Sequence, residues 1–278
     1  MIFASSAKHI KELDQAPDSV LSLNGAAKHI LQPIYTMNGF NWFDRRGVEG
    51  VGFVKTLRTL LTNNLPQLLP RLSIATKTLV WVIHDLCDHP EYVEPLREEL
   101  QTSYADFERS TKGLPLLDSF LKESARLTPV ESMSVRRCAL APFTFSDGTR
   151  LAPGDWGCAP SGAINLKEEY YPSPHEFSGF RFVDPAIIPD KQSPQINQGK
   201  PSKLVDVDES FLMWGTGRMA CPGRYYSSAF MKVIVGQIIM NYDVALVEPS
   251  APRWFSWRAA LLPKDHTLVT FTPLEKKI

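Results

Sequence analysis

Cys221 stands in the stretch "MWGTGRMACPGRYYSSAF", residues 213–230, behind a glycine-rich turn and directly ahead of Pro222-Gly223 and an amphipathic segment. A sulfur at the mouth of a helix meets the positive end of the helix dipole and several backbone N–H groups that lack intrahelical partners. Both lower the energy of a thiolate, which suits a nucleophile or a metal ligand. Pro222 and Gly223 tighten the turn and keep bulk from the sulfur, so something flat could approach it. From this stretch alone, a buried structural cysteine at a helix start is an equal competitor. "GTGRMA" also matches the dinucleotide fingerprint GxGxxA, but that motif needs a hydrophobic strand before it inside a βαβ unit. The residues ahead are "VDVDESF", so the match is weak.

Charged residues supply the next candidates. Glu123 and Arg126 in "KESAR" stand at i, i+3, where two side chains share a helix face and can pair. Such a pair usually belongs to a solvated face. Arg181 sits between Phe180 and Phe182 in "PSPHEFSGFRF", residues 172–182, which by itself says only that aromatics pin a loop. Cys87, Cys138, Cys158 and Cys221 form no CxxC pair, so neither a disulfide framework nor a zinc knuckle is indicated and reduced thiols in an intracellular protein are expected. A cysteine hydrolase joining Cys221 to His175 or His266 is open on chemistry but has no matching sequence context.

These residues need elements to hold them. A chain of 278 residues can bury a core as one large domain or two small ones. With 44% hydrophobic and 22% charged residues, its balance is that of an ordinary globular protein. Lys+Arg 30 against Asp+Glu 30 leaves no net charge, which argues against a nucleic-acid or polybasic membrane role. Residues 6–31 predict two short helices broken near "APDS", 32–50 a loop, and 51–70 a helix as far as Pro66. Leu79, Val82, Ile83 and Leu86 recur at helical spacing, with an end near Asp88 and a fresh start at Pro90. Residues 115–129 predict a helix stopped by Pro129, and "FTFSDGTRLAPG" (143–154) a hairpin around Asp147-Gly148. Residues 159–210 read as irregular, and a last helix starts near Arg224 with Phe230, Val233, Ile234 and Ile238 on one stripe. The sum is a mainly α fold with a small β component, in one domain rather than two. The N-terminus lacks the apolar core of a signal peptide, and the longest apolar run, "TLVWVI" at 78–83, is too short to cross a bilayer.

The order of these features is more specific than any one of them. A helix with ExxR, a strand region, a loop with PxxFxxxRF and a Gly-rich Cys-Pro-Gly loop before the final helix resembles the heme-thiolate monooxygenases of the cytochrome P450 superfamily, above all fungal members of secondary metabolism. The likeness runs through nearly all of 134–182 and includes "HDLCDHPEYVEPLREEL" at 84–100. By that resemblance Cys221 is the axial thiolate of a heme b iron, pushing electron density onto it to favour O–O cleavage, as is general for heme-thiolate proteins. Trp214, Gly217, Arg218 and Gly223 then surround the cofactor, and Arg136 or Arg137 faces a heme propionate. Glu123, Arg126 and Arg181 match the family's buried charge network, a structural device.

The resemblance has departures. Trp214 replaces the usual phenylalanine seven residues before the cysteine, and Met219 stands where the family prefers arginine or histidine, with Arg218 adjacent as a substitute. The proton-relaying threonine of the family's central helix falls on Ile74, between Ser73 and Ala75. Ser73 and Thr76 are the remaining candidates, Thr76 only with a shifted helix register. The expected partial P450 fold is a single heme-binding domain, residues 1–278, lacking the N-terminal anchor and several helices between about 70 and 73. The function implied is monooxygenation of a hydrophobic small molecule in fungal secondary-metabolite biosynthesis, with electrons from NADPH through a separate reductase. A non-catalytic heme-binding remnant, or a truncated gene product, is the alternative. The chain is expected to be cytoplasmic or peripheral at the endoplasmic reticulum membrane.

Overall fold

The computed structural model describes residues 1–23, 25–26, 77–129, 131–188, 199–257, 259–264 and 266–275. The loop and helix expected over 32–70, together with Ser73, Ile74, Ala75 and Thr76, lie outside the described residues. In chain order the elements are β1 (Ile2–Phe3), α1 (Ala7–Gln15), β2 (Leu21–Ser22), α2 (Lys77–Asp88), a 3-10 turn (Pro90–Tyr92), α3 (Val93–Ser110), α4 (Pro115–Leu127), β3 (Ser134–Ala139), β4 (Phe143–Thr144), β5 (Arg150–Leu151), β6 (Trp156–Ala159), α5 (Ser161–Ile164), α6 (Arg224–Asn241), β7 (Tyr242–Leu246), β8 (Trp254–Trp257), β9 (Ala260–Pro263) and β10 (Val269–Pro273). Helices dominate and strands are short, as the sequence predicts. Among the described residues no helix is long and apolar enough to cross a membrane. The chain divides into two compact units.

The first unit draws on Met1–Asn63, Met133–Ile164 and Val207–Arg224. Its sheet has the order β1-β6-β3-β2, with β1 parallel to β6 and the other pairs antiparallel. Helix α1 opens on Ser6, whose hydroxyl accepts from the His9 N–H, and buries Ile10 and Leu13. Gly157 of β6 makes room for that helix: a Cβ there would lie 2.6 Å from Leu13 Cδ2. The break expected near "APDS" is present, and Leu21 and Ser22 after it pair as β2 with Ala139 and Cys138. Leu21 is fully buried there, and Leu23, Gly25 and Ala26, which follow, are helical as the sequence predicts. The predicted hairpin forms from β4 and β5, with Gly148 at φ +88 and Asp147 Oδ1 accepting from the Thr149 N–H.

The second unit draws on Asn64–Ser132, Asn165–Asp206 and Tyr225–Ile278. Helix α2 ends at Asp88, and Pro90 sits in the first turn of the next segment, as expected. Helix α4 is buried at every position from Leu116 to Arg126, with no solvated face. Its first turn is capped from α3: both Glu99 carboxylate oxygens accept, from the Leu116 and Leu117 N–H groups at 2.8 and 2.9 Å. The face that α6 buries differs from the expected stripe. Phe230 is buried, but Val233, Ile234 and Ile238 are half-buried, and Ala229, Lys232, Val235, Gly236 and Ile239 go inside. Lys232 lies on that buried face with its charge paired: its Nζ meets Asp118 Oδ1 of α4 at 2.6 Å and donates to the Gly113 carbonyl. Antiparallel pairs β7–β10 and β8–β9 complete this unit.

Asp85 of α2 carries a cost of its own. Among the described residues its Oδ2 is buried with no partner at hydrogen-bond geometry, and desolvation pushes its pKa up to about 7, with the nearby Ser124 hydroxyl and Arg253 acting to lower it. The folded-state pKa lies above the unfolded value of 3.8, so the stabilising protonated state is complete below about pH 4 and lost as pH rises through 7. Asp85→Asn should therefore gain stability over the wild type as pH climbs from 4 to 8, by on the order of 2–4 kcal/mol. Urea unfolding at several pH values checks this, and parallel pH profiles for the two proteins would refute it.

Candidate functional site

The cysteine loop lies in the first unit and is organised by backbone. Asp208 Oδ1 accepts from the N–H groups of Ser210 and Phe211, starting the turn. Phe211 and Leu212 are then buried, and Ser134 of β3 donates its hydroxyl to the Leu212 carbonyl at 2.8 Å. Gly215 and Gly217 take φ of +72 and +54, which reverse the chain where side-chained residues are strained. The Cys221 N–H returns to the Trp214 carbonyl at 2.7 Å and closes the loop. The Arg224 N–H and guanidinium both donate to the Cys221 carbonyl as α6 begins. Cys221 is a free, half-buried thiol. A Cβ on Gly223 would lie 3.9 Å from the Cys221 sulfur, an ordinary contact distance. Among the described residues no strand directly precedes "GTGRMA", so the dinucleotide reading has no βαβ context there.

The other three thiols are poor thiolates. Burial pushes the Cys87 pKa up to about 11 and raises those of Cys138 and Cys158. His175 and His266 are both exposed and belong to the second unit, whereas Cys221 belongs to the first.

The structure distinguishes the two adjacent arginines of β3. Arg137 is buried and pairs with Asp14 of α1 at 3.1 Å, while Arg136, one residue earlier on the opposite strand face, is half-buried. Trp214 is buried, Met219 half-buried, and Arg218 exposed, with its guanidinium donating to the Ala16 carbonyl at 3.3 Å. Asp14 was not a sequence candidate. It lies 123 residues from Arg137 on a different element, and nothing local marks it.

In the second unit Glu123, Arg126 and Arg181 come together, each 0% exposed. Arg126 forks onto Glu123 at 2.7 and 2.8 Å, and Arg181 Nε donates to Glu123 Oε1 at 3.0 Å. The Ser178 N–H donates to the same oxygen at 2.9 Å. The remaining guanidinium N–H groups go to carbonyls of the irregular segment: Arg126 to Asn165, Pro174 and Glu176, Arg181 to Pro172, Ser173 and Glu176. Asn165 donates back to the Arg126 carbonyl at 2.9 Å. The pair is therefore not a solvated one, because α4 has no solvated face. Lys122, also buried, ties α4 to Ser202 and the Lys203 carbonyl, and Asp118 accepts from the Leu204 N–H.

A mainly helical fold, a buried Glu-Arg-Arg cluster and a glycine-framed cysteine turn define one protein class. The cytochrome P450 family profile matches residues 75–271, and the chain belongs to that family. Among relatives, cytochrome P450 monooxygenase janQ of Penicillium janthinellum is 33% identical over 68% of this chain and 37% of its own length. Cytochrome P450 monooxygenase paxQ of Penicillium paxilli is 30% identical over 80% of this chain and 46% of its own. The chain thus spans less than half the length of these curated relatives. A solved structure of a zebrafish cytochrome P450 with progesterone shares the fold with a TM-score of 0.53 at 23% identity, over 71% of this chain and 42% of that one.

Removing one partner from the buried cluster leaves an uncompensated charge, which costs about 3–5 kcal/mol. Glu123→Ala should lower stability by that amount or leave the protein insoluble. Arg181→Lys should also lower stability although it keeps the charge, because an ammonium cannot reproduce the guanidinium's fan of donors. Denaturant midpoints read the difference.

Proposed function

We propose that this chain is a heme-thiolate monooxygenase that inserts one oxygen atom of O2 into a hydrophobic small molecule in fungal secondary metabolism, with Cys221 as the iron ligand. The observation that carries this reading is the cysteine turn itself. Cys221 is a soft donor with its own N–H held back by the Trp214 carbonyl, and Gly223 puts no side chain beside the sulfur. Thr216 adds a buried hydroxyl that has no partner among the described residues. A soft sulfur donor beside a bare glycine and a buried arginine suit a flat, anionic iron porphyrin.

The residues then have distinct tasks. Cys221 binds iron, and the positive-φ glycines Gly215 and Gly217 curl the loop behind it. Trp214 packs the loop against the core, and Arg137 offers a guanidinium for a carboxylate, with Arg218 nearby in sequence. Heme supplies the chemistry when bound: with two electrons it places one oxygen atom of O2 in a C–H bond and sends the other to water. Proton delivery falls to Ser73 or Thr76, and the electrons to a separate NADPH-dependent reductase. Residues 1–278 act as one heme-binding domain in this reading, cytoplasmic or at the periphery of the endoplasmic reticulum membrane.

Heme reconstitution tests the proposal. The reduced protein with carbon monoxide should show the Soret band of a thiolate ligand, and Cys221→Ala should lose it. No heme uptake would sink the reading. If heme binds, turnover of candidate substrates with NADPH and a reductase separates an enzyme from a heme-binding remnant.

A further inference from the structure

Arg137 already has a carboxylate. Its side chain is 3% exposed and donates to Asp14 Oδ1 at 3.1 Å and to the Arg136 carbonyl at 2.9 Å. Asp14 is held there by its neighbour, since Leu13 is fully buried against Gly157, the residue paired with Arg137 across the sheet. The second carboxylate oxygen faces the cysteine loop: a Cβ on Gly217 would fall 1.5 Å from Asp14 Oδ2. Arg218 follows Gly217 and binds the Ala16 carbonyl two residues beyond Asp14. Asp14 therefore joins α1, β3 and the loop that carries Cys221. Asp18 also acts on Arg137, and Glu209, itself paired with Lys11, acts on Asp14.

We propose that Asp14 is the resident carboxylate of an anion site on Arg137, and that a porphyrin carboxylate must displace it to bind there. The inference rests on the heme reading above. A buried guanidinium on a strand presents one fork in a fixed direction. Two carboxylates on that fork would stand as like charges in a site with little water, which is unfavourable for both. Asp14 thus stabilises the cofactor-free unit and opposes cofactor entry, two effects of opposite sign from one side chain.

Hemin titration of the cofactor-free chain, followed by Soret absorbance and tryptophan quenching, reads both effects. Asp14→Asn keeps the shape and removes the charge. It should lower the melting temperature of the cofactor-free protein yet bind hemin about tenfold tighter, the scale of one charge-assisted contact. Hemin dimethyl ester, which lacks free carboxylates, should bind wild type and variant alike. Equal or weaker hemin binding by Asp14→Asn, with the wild type binding normally, overturns the proposal and leaves the heme reading standing. Tightening that persists with the dimethyl ester overturns it too. Uptake by the variant alone supports it, and uptake by neither protein overturns both readings. If Asp14→Asn is insoluble, Asp14→Ser is judged by the same comparison.

Discussion

One carboxylate between two guanidiniums organises the larger unit. Glu123 is out of water, and so are Arg126 and Arg181. Three desolvated charges are tolerable only because nearly every donor and acceptor finds a partner. The partners are mainly backbone carbonyls of residues 165–176, a stretch with almost no ladder of its own to satisfy them. The cluster and the irregular segment are thus mutually dependent. The segment keeps its path because the arginines collect its carbonyls, and the arginines stay buried because those carbonyls are there. Tyr171 lies under the Arg126 guanidinium at 5.0 Å, and Phe180 and Phe182 flank Arg181 in sequence and are buried with it.

The cysteine loop follows a different rule. It is shaped by glycine dihedrals, a carboxylate at its start and one backbone bond that returns Cys221 to Trp214. Its anchorage comes from outside the loop, from Ser134 of β3 and from the contact of Gly217 with Asp14. That contact explains the second glycine: positive φ accounts for part of the demand, and the pressed carboxylate accounts for the rest.

Much of this was legible in the residue order. Helix α2 ends at Asp88 because Pro90 follows, and the hairpin turns at Asp147-Gly148 because that pair favours a reversed backbone. The buried face of α6 departs from the apolar stripe, because it includes Lys232, whose partner Asp118 is on another element and leaves no local signal. Strand β2 falls between the two helical stretches without a sequence signal, because two paired residues are too few to show a period.

The sequence by itself determined the local matters: where proline stops a helix, where glycine reverses a loop, and that one cysteine stands at a helix mouth. Its motif order was also enough to name the family, since order survives when identity falls to a third. The buried network of Glu123, Arg126 and Arg181 was implied by the motif order, but tertiary structure alone decided which backbone carbonyls it collects. It also buried Arg137 while leaving Arg136 half-buried. It brought Asp14 to Arg137. The physical reason is the same in each case. Spacing along a chain records neighbours on one element, whereas desolvation depends on what the other elements place around a charge.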